Sequence, residues 1–207
     1  MIDLYTWTTP NGRKVSIALE EMGLPYTAHA IDIGKDEQFA ADFLAISPNN
    51  KIPAIRERET GFHLMESGAI LLWLAEKSGR FLPEAQRWEA MEWLMWQMAG
   101  FGPMLGQAHH FLKYNAGVSD YAETRYHSEA QRLYRVLDTR LAGRDFILDS
   151  YSIVDMAIWP WVSRFEWQKV DLNDFPHVRD WYLGIAERPA VQRGYDIPNV
   201  TTPIPKP

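Results

Sequence analysis

Residues 2–31 read, in order, as strand, turn, helix and strand, and this succession limits the fold more than any other feature of the chain. "IDLYTW" (2–7) is apolar and β-prone, and it stops at Thr9-Pro10-Asn11-Gly12, a cluster of turn formers. In the segment that follows, Val15, Ala18, Leu19 and Met22 recur at helical spacing and Gly23 acts as a stop. "YTAHAI" (26–31) reads as a second strand. Two strands joined through one helix lie parallel with a right-handed crossover, so the chain should begin as an α/β unit.

The same grammar continues to about residue 80. "FAADFLAIS" (39–47) suggests a short helix, and "IPAIRERETGFHLM" (52–65) two short strands around a Thr60-Gly61 turn. "ESGAILLWLAEKSG" (66–79) places Ile70, Trp73, Leu74 and Lys77 in helical register, with Gly79 as terminator. Beyond Phe81-Leu82-Pro83 only helices follow. Residues 87–114 and 120–142 read as long helices, the second carrying Tyr126, Leu133, Val136, Leu137 and Leu141 along one stripe. Ser152 and Asp155 have the spacing of a capping box, and Pro160 should kink the helix they open. A further helix should end near Arg188-Pro189. The expectation is an α/β domain over 1–80, a linker over 81–86, an all-helical domain over 87–200 and a proline-rich tail over 201–207.

Composition narrows the function classes. The net charge is −6 and the pI about 5.5, with no run of like charges, which argues against nucleic acid as a partner. The absence of cysteine excludes a protein-thiol nucleophile, a disulfide framework and thiolate metal sites. The N-terminus does not read as a signal peptide, and no apolar run reaches the ~20 residues that span a bilayer, so a cytoplasmic protein is expected. His109 and His110 point about 100° apart on a helix and do not readily share one metal ion. Trp88, Met91, Met95 and Met98 recur at helical spacing, while Trp93 and Trp96 lie off that stripe. A helix apolar on more than one face should pack on its own core and on a second copy of the chain, giving a homodimer. Hydrophobic cleft walls are expected near residues 100–115.

Three motifs go further: "SPNNKIPAI" (47–55), "ESGAI" (66–70) and Ser152-x-x-Asp155. With the β-α-β-α-β-β-α order they resemble the cytosolic glutathione transferases, which have a thioredoxin-like N-terminal domain with a mixed four-stranded sheet and an all-α C-terminal domain. "TPNGRKVSIALEE", "SPNNKIPAI", "ESGAILLWLAEKSG" and "GPMLGQAHHF" are similar, more specifically, to the bacterial Nu class. That class includes glutathione-dependent disulfide-bond oxidoreductases related to the yeast prion-forming nitrogen regulator. The resemblance covers essentially the whole chain. It implies glutathione, reduced or oxidised, as the cofactor, and no metal.

The resemblance also assigns residues. It implies a cis Ile52-Pro53 bond, so that Ile52 offers its backbone to a bound tripeptide as to an added strand. In isolation, Glu66-Ser67 would read as an N-cap serine beside an acid. The same physics suits a γ-glutamyl group: a hydroxyl and first-turn N–H groups for its carboxylate, and Glu66 for its ammonium. Gln38 is placed by resemblance at the glycine end. Lys51 either neutralises a carboxylate or is a solvated surface lysine. Arg132 reads as an exposed helix arginine, or by resemblance reaches across the dimer to the partner's ligand. At the opening turn only Thr9 and Asn11 are available to hold a sulfur. An amide N–H₂ donates without ionising, and a helix N-terminus adds positive potential, so the pair can stabilise a thiolate that arrives with glutathione.

With no protein dithiol, reduction of a disulfide would use two glutathione thiols, one attacking and one resolving. Disulfide reduction is ranked first. Conjugation of glutathione to an electrophile is second, and a non-enzymatic glutathione-binding regulator is third.

Overall fold

A computed structural model describes residues 1–199 and 202–207 of the 207. Val200 and Thr201 fall outside the described residues, and with them the end of the expected helical domain and the start of the expected tail. The chain divides into two compact units, Met1–Leu82 with Glu187–Ile204, and Pro83–Ala186 with Pro205–Pro207.

The first unit contains β1 (Ile2–Thr6), α1 (Pro10–Met22), β2 (Tyr26–Ala30), α2 (Ala41–Leu44), β3 (Ala54–Glu57), β4 (His63–Met65) and α3 (Ser67–Ser78). The sheet order is β2-β1-β3-β4, with β1 parallel to β2 and the other neighbours antiparallel, as a βαβ unit followed by a hairpin requires. Helix α2 is a single turn, shorter than the 39–47 span expected, and 3-10 turns at Ile33–Lys35 and Glu37–Phe39 lead into it.

Helix α1 is buried well beyond its predicted stripe: Arg13, Lys14, Ser16 and Ile17 are buried along with Val15, Ala18 and Leu19. The cause is α9 (Pro189–Tyr195), which packs on α1 within this unit. Arg13 Nε donates to Tyr195 O at 3.1 Å, and its guanidinium lies 3.4 Å from the centre of the Tyr195 ring. Ser16 Oγ donates to Gly194 O at 2.6 Å, and Arg188 forks onto Glu21 at 2.6 and 2.8 Å. Pro189 therefore begins a helix rather than only ending one, since its missing N–H costs nothing at the first helical position. The continuous 87–200 span expected for the helical domain thus differs from the compact unit, which lacks 187–200.

The second unit holds α4 (Arg87–Trp96), α5 (Gly102–His109), α6 (Asp120–Leu141), α7 (Ile153–Val162) and α8 (Pro176–Ala186). The long helix expected over 87–114 is present but carries π-helical stretches at Gln97–Phe101 and His110–Tyr114. Its buried stripe is Ala90, Leu94, Gln97 and Phe101, whereas Trp88 is 82% and Met95 47% exposed. Both sets satisfy the helical period, so spacing alone could not choose between them. Ser152 and Asp155 form the capping box, and Asp155 also accepts from Ile147 N at 3.1 Å and Trp181 Nε1 at 2.9 Å. Pro160 lies in the last turn of α7, which ends at Val162.

Candidate functional site

The site in the first unit follows from sheet register. Tyr5 of β1 is opposite Ala54 of β3, and Ala54 is opposite Met65 of β4. The residues just outside that row therefore converge at one edge: the start of α1 after β1, Ile52-Pro53 before β3, and Glu66-Ser67 after β4. Asn11, Lys51, Ile52, Pro53, Glu66 and Ser67 line one cleft there. Its volume of about 150 Å³ is well below the roughly 300–1,000 Å³ of a pocket that engulfs a drug-sized ligand, so it suits one end of an extended molecule.

Each wall has a local cause. Thr9 caps α1, with Oγ1 accepting from Gly12 N at 3.1 Å, and Pro10 takes the first helical position. A Cβ on Gly12 would lie 2.2 Å from Trp7 O and 2.5 Å from Thr6 Oγ1, so only glycine lets the helix start this close to the end of β1. Asn11 is half-buried on the first turn, facing the cleft. Ser47 Oγ donates to Lys51 O at 2.9 Å and closes the loop that leads to the cis Ile52-Pro53 bond.

The third wall corrects one expectation. The N-cap of α3 is Glu66, with φ 72° and no side-chain cap; Ser67 occupies the first helical position. A non-glycine residue with positive φ carries about 1–3 kcal/mol of strain, and such residues cluster at ligand sites. Glu66 is exposed while Ser67 is 5% exposed. Behind Ser67 lies a residue that the sequence reading missed. Lys14, 1% exposed, places Nζ 3.3 Å from Ser67 Oγ. Burial pushes the Lys14 ammonium well below its ordinary pKa, and the Glu66 carboxylate acts in the opposite direction. Periodicity could not have found it, because Lys14 follows Arg13 in what reads as the solvated face of a helix.

The remaining assigned residues are not in the cleft lining. Thr9 lies two positions before Asn11 as the cap. Gln38 sits on the Glu37–Phe39 turn, with Nε2 3.4 Å from Asp36 Oδ1 and a buried Oε1 that meets no hydrogen-bond donor. Arg132 belongs to the second unit, exposed on α6 and forked onto Glu129 at 2.7 and 2.8 Å, along a groove that includes Tyr121, Thr124 and Arg125. His109, also in that unit, is packed: its ring stacks on Trp161, and Gln168 Nε2 lies 3.1 Å from His109 Nε2. No cluster of three or more potential metal ligands occurs among the described residues, and none of their helices is long and apolar enough to cross a membrane.

The glutathione S-transferase N-terminal domain model matches residues 8–77, and the C-terminal domain model matches residues 120–183. The disulfide-bond oxidoreductase YfcG of Escherichia coli is 48% identical over 198 residues, covering 92% of both chains. A second Escherichia coli disulfide-bond oxidoreductase, YghU, is 41% identical and covers 98% of this chain and 77% of its own. Among solved structures, a Pseudomonas putida glutathione transferase with one glutathione disulfide bound per subunit superposes with a TM-score of 0.91. It is 44% identical, and the match covers 96% of this chain and 92% of that one. A Burkholderia graminis glutathione transferase with two glutathione molecules per subunit gives a TM-score of 0.90 at 43% identity, over 95% of this chain and 88% of that one.

Proposed function

This chain belongs to the glutathione S-transferase family, and from that premise we propose that it is a glutathione-dependent disulfide-bond oxidoreductase of the Nu class. The observation that carries the reading is the cleft itself: donors from Asn11, Lys51 and Ser67 and the carboxylate of Glu66, with no cysteine anywhere in the chain. The sulfur chemistry must then come from the ligand.

The γ-glutamyl end lies against Glu66 and Ser67, its carboxylate over the first turn of α3 and its ammonium beside Glu66. Ile52 pairs with the peptide backbone, and Lys51 neutralises a ligand carboxylate. Gln38 borders the glycine end. Asn11, on the first turn of α1, donates to the glutathione sulfur, and the helix N-terminus adds favourable potential; Thr9 acts beside it. The bound thiolate attacks a substrate disulfide, forming a glutathione–substrate mixed disulfide and releasing one substrate thiolate. A second glutathione thiolate then attacks the glutathione sulfur of that intermediate, releasing the other substrate thiolate and glutathione disulfide. Two electrons pass from two glutathiones, and no protein group changes oxidation state. The two solved relatives, one with glutathione disulfide and one with two glutathiones per subunit, support the stoichiometry.

The protein acts in the cytoplasm as a homodimer. Exposed Trp88 and Met95 on α4 support a second copy as their cover, and Arg132 then serves the partner's ligand. Ultraviolet titration of the bound thiol tests the sulfur assignment. Its pKa should lie below that of free glutathione in the wild type and move back toward the free value in Asn11→Ala. Equal values in the two proteins would remove Asn11 from the mechanism.

A further inference from the structure

We propose that Lys14 is a positioning residue of the glutathione site, which by donating to Ser67 Oγ fixes the serine's own proton as the donor offered to the γ-glutamyl carboxylate. The inference rests on the assignment of Glu66 and Ser67 to the γ-glutamyl end. A lysine ammonium has three donors and no acceptor, whereas a serine hydroxyl has one proton and two acceptor lone pairs. With Nζ 3.3 Å from Oγ, the serine oxygen accepts, and the hydroxyl proton is the only donor the side chain has to give. Lys14 is 1% exposed and is not part of the cleft lining, so it acts through Ser67 rather than on the ligand.

The location argues for function over stability. Burying an ammonium is costly, and a well-packed apolar side chain of the same length commonly leaves a fold as stable or more so. Glu66, the nearby carboxylate, is exposed and stays solvated when Lys14 is removed. The site also gains charge balance. The γ-glutamyl ammonium answers the charge of Glu66, and the Lys14 ammonium behind Ser67 answers that of the γ-glutamyl carboxylate.

A double-mutant cycle tests this by calorimetric titration of the full-length protein with two probes: glutathione, and its analogue lacking the γ-glutamyl α-carboxylate. Loss of one charge-assisted contact should weaken glutathione about ten-fold in Lys14→Met and in Ser67→Ala, with the double variant within about two-fold of either single one. The analogue should bind Lys14→Met and wild type alike, and the melting temperature of Lys14→Met should equal or exceed that of wild type. If Ser67→Ala weakens glutathione but the Lys14→Met effect multiplies with it, or falls equally on both probes, the positioning role is wrong while the site assignment stands. If Ser67→Ala binds glutathione as wild type does, both fail. A lower melting temperature with unchanged glutathione affinity would assign Lys14 to the fold alone and overturn the proposal. Lys14→Leu repeats the cycle should methionine prevent folding.

Discussion

A Cβ placed on Gly194 would stand 2.6 Å from the Cα of Ile17 and 2.7 Å from its backbone N. Helix α9 therefore meets the middle of α1 backbone to backbone, and α1 bears Asn11 on its first turn. Gly194→Ala must push the two helices apart, since the obstructing atoms are main chain. The expected cost is about 1–3 kcal/mol, read as a lower denaturant midpoint with unchanged slope.

Gly12 makes an equally close approach at the N-terminus of α1, against Trp7 O and Thr6 Oγ1. Gly12→Ala should move the first turn, and Asn11 with it. Disulfide turnover is expected to drop by about 10²-fold, the scale of a misplacement of roughly 1 Å, with the circular dichroism spectrum preserved.

Glu66 gives a comparison that separates strain from charge. Both Glu66→Ala and Glu66→Gly remove the carboxylate, but only glycine accepts φ 72° without a Cβ penalty. Glycine should be the more stable of the two by about 1 kcal/mol, the reverse of their order inside a helix. Both should weaken glutathione.

His109 supplies a pH dependence. Burial, with a smaller contribution from the Arg164 guanidinium, lowers its pKa to about 4. The chain of donors agrees: Tyr134 OH donates to Gln168 Oε1, so the Gln168 amide N–H₂ faces Trp161 O and His109 Nε2, which must accept. The folded protein holds a neutral imidazole while the unfolded chain takes up a proton below about 6.5. Stability conferred by this group is complete above pH 6.5 and declines as the pH falls toward 4, by roughly 3 kcal/mol in all. Chemical denaturation between pH 7 and 4.5 should show a shallower decline in His109→Gln than in wild type.

Much of this was legible in the sequence because local and global signals agree. The turn at Thr9-Pro10-Asn11-Gly12 is also the helix start, the glycine stops at Gly23 and Gly79 are left-handed caps, and Ser152 and Asp155 form the box their spacing foretold. The resemblance assigned Asn11, Ile52-Pro53 and Glu66-Ser67 to one ligand, and the sheet register brings them to one edge. What stayed hidden depends on contacts distant in sequence. The burial of Arg13 and Lys14 is imposed by α9 and α3, and α9 lies about 175 residues further on. Positive φ at Glu66 left no mark, since glutamate is not the residue that signals it. On α4 two interleaved sets of residues fit the same period, and only packing distinguishes Leu94 from Met95.

The central claim is that glutathione brings the sulfurs to a cysteine-free site whose task is to hold a thiolate for disulfide exchange. Its most direct measurement is side-by-side turnover of a small disulfide and an aromatic halide by the same preparation, with glutathione in both. Disulfide reduction should dominate, and Asn11→Ala should lose most of it while remaining folded. Dominant conjugation with disulfide reduction at background would contradict the account.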